Sequence, residues 1–86
     1  DEGKEHQFFY EALSGLDLNV DYSDEDSDGN PIGLTIRAIS GTESNGELRI
    51  TLRHEADKFA DGVSDGNIAN AGGETDIQVI FDVEIQ

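Results

Sequence analysis

From Asp76 to Ile85 the chain changes character at nearly every step. Ile77, Val79, Phe81, Val83 and Ile85 alternate with Asp76, Gln78, Ile80, Asp82 and Glu84. A period of two fits a strand with one covered face and fits no helix. The same period returns where Leu48, Ile50 and Leu52 alternate with Glu47, Arg49, Thr51 and Arg53. It returns again where Leu16, Leu18, Val20 and Tyr22 alternate with Asp17, Asn19, Asp21 and Ser23. Leu34, Ile36 and Ala38 give a shorter inward set over 33–40. In His6–Leu13 the apolar residues fall on both sides, Phe8, Tyr10 and Ala12 on one, Phe9 and Leu13 on the other. That pattern predicts a strand covered on both faces or lying at the seam of two layers. A short helix competes there, because Glu, Gln, Ala and Leu tolerate one.

Turn chemistry separates these runs. Ser14-Gly15, the polar stretch Asp24–Pro31 and the segment Gly41–Gly46 mark connections, and Asn45-Gly46 suits a tight hairpin. Residues 55–74 hold no sustained period and read as a long loop, with a helical turn near Asp57–Ala60. The expected fold is all-β: an antiparallel β-sandwich, immunoglobulin-like in general architecture, of about five strands. Arg37, Arg49 and Arg53 lie on the outward sides of their strands, and Asp17, Asp21, Asp76, Asp82 and Glu84 on theirs. Pairing basic beside acidic strands is worth about 0.2–1 kcal/mol per contact. It also fixes register, since a one-residue slip would turn the arginines inward. Residues 47–54 are therefore expected in the interior of a sheet. Residues 1–5 read as a flexible acidic terminus or the end of an upstream segment, and 6–86 as a single β domain. Its strands leave an apolar face to be covered, by a second sheet, a second copy, or an N-terminal half absent here.

The 86 residues carry 20 acids against 5 basic groups, a formal charge of −15. Nucleic acid is excluded as a natural partner, since phosphate binding needs clustered Lys and Arg, and an anionic membrane surface fares no better. There is no Cys, hence no disulfide and no thiolate metal site. The chain opens on Asp-Glu-Gly-Lys-Glu without Met, the expected start of a mature or truncated product.

Two places invite chemistry. Asp24, Asp26, Asp28 and Asn30 repeat the alternate-oxygen spacing that opens a calcium loop, with Gly29 for the sharp turn. The twelfth position is Thr35, not a bidentate Glu, and strands flank the run, so an EF-hand is excluded. A weaker calcium site in a β-turn stands beside the plainer reading that these residues simply form turns. His6 and His54 are the only histidines. With Glu55 and Asp57 they offer zinc ligands, while His54 also reads as a hydrogen-bonded residue ending the inward set of its strand. His54, Glu55, Asp57 and Lys58 together form a candidate contact strip at the head of the long loop. A hydrolase using His54 with Ser40, Ser44 or Ser64 has no nucleophile motif behind it, so an enzyme is not expected.

HQFFY (6–10), DGNPIGL (28–34), TLRHEADK (51–58) and NAGGETDIQVIFDVEIQ (70–86) resemble a family of uncharacterised exported lipoproteins of marine Bacteroidetes-type bacteria. The resemblance spans nearly the whole chain and is most specific in RHEADK and NAGGETDI. It implies that this region is the C-terminal half of a protein with a lipid-anchoring Cys, an acidic tether and a β-rich upstream half. It further implies a periplasmic or cell-surface location, with the membrane reached only through that anchor. Some members carry a type 1 periplasmic-binding label, which implies a bilobed α/β protein; the strand pattern here does not fit one. The expected function is a non-catalytic binding or structural domain of a cell-envelope lipoprotein. Its alternative is a calcium-stabilised adhesion or carbohydrate-binding module.

Overall fold

In a computed structural model, which describes residues 2–86, five antiparallel strands form two sheets. A four-residue helix α1 (Glu2–Glu5) leads into β1 (His6–Leu13). β2 (Leu18–Tyr22), β3 (Ile36–Ser40), β4 (Ser44–His54) and β5 (Glu74–Ile85) follow. The larger sheet has the order β1-β4-β5, and β2 pairs β3 in the smaller one. Asp1, part of the terminus read above as flexible, lies outside the described residues.

β4 is the central strand, as expected of residues 47–54, although only one of its two arginines stands opposite an acid. Arg49 stands opposite Glu11 of β1 and binds both carboxylate oxygens, at 3.1 and 2.8 Å. Such a fork is the geometry in which a planar guanidinium gains most from a carboxylate. On the same face Arg53 donates to Thr75 Oγ1 at 2.7 Å and to the Gly72 carbonyl at 2.8 Å.

Two expectations need correction. Asn45-Gly46 makes no hairpin; both residues lie inside β4, and the chain crosses between the sheets at 41–43. That crossover is fastened to Asp17, whose carboxylate accepts from Thr42 N at 2.7 Å and Thr42 Oγ1 at 2.9 Å. Glycine is needed at 46 for space, because a Cβ would run into the Leu13 carbonyl and the Leu16 side chain. The second correction concerns the core. Alternation marked Leu48, Ile50 and Leu52 as inward, yet the fully buried side chains sit on the opposite face: Phe9, Gln7 and Thr51, with Val63 folded over them. The long loop supplies the cover through Ala56, Val63 and Ala71, with Ala60 and Ile68 packed against them. It holds two 3₁₀ turns, Val63–Asp65 and Ile68–Asn70, beyond a single hydrogen-bonded turn from Asp57 to Ala60.

The face with the longer apolar stripe is only half covered. Across it Phe8, Leu52 and Ile77 lie in register, as do Tyr10, Ile50 and Val79. On β5 the exposure reaches 58% at Ile77, 38% at Val79 and 53% at Phe81. Segment 31–34 covers part of the β1 end. Ile32 accepts from Phe8 N at 2.7 Å, and Gly33 accepts from Tyr10 Oη at 2.6 Å. Gly33 adopts φ 93°, and a Cβ there would meet Phe8 and Tyr22 at 2.9 Å. Tyr22 ties β2 to β1 by donating to the Phe8 carbonyl at 2.6 Å and accepting from Gln7 Nε2 at 3.0 Å.

Candidate functional site

The acidic turn is built around two carboxylates that face inward. Asp24 accepts four consecutive backbone N–H groups. Ile32 and Gly33 reach one oxygen at 3.3 and 2.8 Å, and Leu34 and Thr35 the other at 2.8 and 3.1 Å. Asp26 closes a tighter turn, with Oδ1 accepting from Asp28 N at 2.9 Å and Asn30 N at 3.0 Å. Short acidic side chains favour such turns because they satisfy amides that no strand partner reaches. Burial pushes both carboxyls up, but the hydrogen bonds outweigh it and hold each below the usual carboxylate range. At Asp26 the largest of these bonds comes from Lys58.

Lys58 is the residue that sequence reasoning misplaced. Expected on the contact strip, it is 4% exposed. Its three ammonium protons have three acceptors: the Gly3 carbonyl at 2.7 Å, the Pro31 carbonyl at 2.8 Å and Asp26 Oδ2 at 2.8 Å. Of the four side chains whose spacing suggested a calcium loop, only Asp26 reaches this ammonium; the other two acceptors are backbone carbonyls. Of the other candidate calcium ligands, Asp28 is exposed, 3.7 Å from Lys4 Nζ. Asn30 Oδ1 lies 3.1 Å from Ser64 Oγ, while Asn30 Nδ2 is buried without a hydrogen-bond partner among the described residues. Glu55 and Asp57 are exposed, and the Asp57 carboxylate accepts from Phe59 N at 3.1 Å. Of the three serines considered as nucleophiles with His54, two are engaged elsewhere: Ser44 Oγ accepts from Asp17 N, and Ser64 Oγ lies 2.8 Å from the Lys58 carbonyl.

At the opposite edge of the strip, His54 continues the face of Leu52 and stands opposite His6 of β1. The two rings are parallel within 4° at 4.7 Å between centroids. Asp76 of β5 joins them, its Oδ2 3.6 Å from His6 Nε2. The potential donor atoms of the three residues all lie within 4.8 Å of one another. Sequence spacing paired the histidines with Glu55 and Asp57; the structure brings in Asp76, which alternation had placed on the other face. A β-bulge between Leu52 and Arg53 causes the change, and no residue pattern announces it. Beside His6 opens a hollow of about 270 Å³, lined by Gly3, His6, Phe8, Ile32, Leu34 and Leu52.

Comparisons with known protein families, with curated proteins and with solved structures bring no match.

Proposed function

We propose that this chain is a non-catalytic interaction domain that completes an immunoglobulin-like β-sandwich by burying its apolar sheet face against a further β layer. One observation carries the proposal: Ile77, Val79 and Phe81 stand 38–58% exposed on one face of β5, continuous with the half-buried Leu48, Ile50 and Leu52. Contiguous apolar surface of this kind marks an interaction site on small domains. β5 is also an edge strand with one side of its backbone unpaired, the place where another strand adds. The resemblance to exported lipoproteins supports an upstream half of the same protein as the covering layer and a location in the cell envelope. Palmitate incorporation into the full-length product tests that location.

The covering layer is tested by sedimentation over a concentration series, together with binding of a hydrophobic dye to the folded domain. Self-association means that a second copy supplies the layer. A monomer that binds dye means that another segment does. In either case Phe81→Lys abolishes the effect and leaves the cooperative melt in place. A monomer that excludes the dye overturns the proposal.

A further inference from the structure

We propose that His6, His54 and Asp76 form a binding site for a zinc-class divalent metal ion, bridging all three strands of the larger sheet. The site stands on its own residues and does not depend on the reading of the apolar face.

Directly opposed residues of an antiparallel pair project to the same side with Cβ atoms about 4.5–5.5 Å apart. Two histidines so placed can converge on one ion without moving the backbone. Tetrahedral zinc, with Zn–N near 2.0–2.1 Å, sets its ligand atoms about 3.3 Å apart. The donor atoms here already lie within 4.8 Å of one another. Side-chain rotation closes the difference, and both imidazoles are only half-buried, so an ion has a path in.

The bulge supplies the independent argument. Register passes from Leu52 opposite Ile77 to Arg53 opposite Thr75, which leaves Asp76 as the extra residue. In regular pairing Asp76 would face Arg53 and form the cross-strand ion pair their charges invite. The chain forgoes that pair: Arg53 bonds Thr75 and Gly72 instead, and Asp76 turns to the histidine face. Bulges recur where a sheet re-aims one side chain for a purpose. Here the outcome is a carboxylate beside two stacked imidazoles.

The donor set selects the metal. Imidazole suits zinc, copper and nickel, whereas calcium and magnesium require a shell of oxygens. Three protein ligands leave a fourth position for water or an exogenous donor, as in zinc sites that bind small molecules. His6 also lines the apolar hollow.

The test is calorimetric titration of the tag-free chain with zinc chloride, with melting curves alongside. One zinc ion per chain is expected, with a rise of about 10 °C or more in Tm at zinc roughly 100-fold above Kd. His54→Gln and Asp76→Asn should each weaken binding by more than about 10-fold, the range that even an outer-shell partner commands. Glu84→Gln should leave it unchanged. Because the chain has only two histidines, their imidazole NMR resonances report the site without any substitution. Both should shift on zinc addition. Absence of saturable binding, binding undiminished in the two site variants, or binding without imidazole shifts would each overturn the proposal.

Discussion

Lys58 shows how one residue can decide the character of a whole segment. Its ion pair with Asp26 is 3% and 1% exposed at the two side chains. A buried pair of this kind contributes little over an apolar pair, but removing one partner strands the other charge and costs about 3–5 kcal/mol. Lys58→Met should lose about that much in urea denaturation. Adding Asp26→Asn should recover part of the loss, because an amide oxygen still accepts from Asp28 N and Asn30 N without carrying charge. A double variant weaker than Lys58→Met alone would show that the charge on Asp26 serves another purpose. Asp24 sets a second expectation. A carboxyl held below its ordinary value in the folded state contributes stability that is complete above about pH 4 and lost as the pH falls further. The urea midpoint should therefore drop from about pH 4 downward, and Asp24→Asn should flatten that drop while costing about 1–3 kcal/mol at neutral pH. An equal acid slope in the variant would assign the acid sensitivity to other groups.

At the level of elements, alternation located the strands, and β4 lies at the centre as expected, with Arg49–Glu11 the one arginine–acid opposition along it. What alternation could not say is which face is covered. A period of two sorts residues to two sides; the cover is decided by whatever else packs there. In this chain that is an aperiodic loop whose small residues, Ala56, Val63 and Ala71, pack with Phe9. No periodic signal marks such a cover, so the core was read onto the wrong side of the larger sheet. The same limit hid Asp76, since a single extra residue reverses the side a position faces. Lys58 was misread for a related reason: its neighbours Asp57 and Phe59 are exposed, and only the distant Gly3, Asp26 and Pro31 reveal where its ammonium goes. The acidic run was legible as a turn, but its side chains go separate ways: Asp24 to backbone amides, Asp26 to Lys58, Asp28 towards Lys4 and Asn30 towards Ser64.

For the molecule as a whole, −15 on 86 residues is a self-repulsion that salt relieves. Tm should rise as sodium chloride is raised from low to physiological strength. Millimolar calcium should raise it no more than millimolar magnesium, since the cage at Asp26 already holds an ammonium. A specific calcium increment that EDTA reverses would mean that the ion finds ligands the turn does not now present.

The crossover at 41–43 has a consequence for how the chain reaches this state. Because Asn45-Gly46 lies within β4, no two strands of the larger sheet are joined by a tight turn. β1 must find β4 across the whole smaller sheet, and β4 must find β5 across the long loop. Only β2 and β3, neighbours in sequence, can pair locally; in the larger sheet long loops must close before any pairing rewards them. The search for the native state is thus slow relative to the chain's size. While it lasts, the apolar side of β5 is open to other chains in the same search.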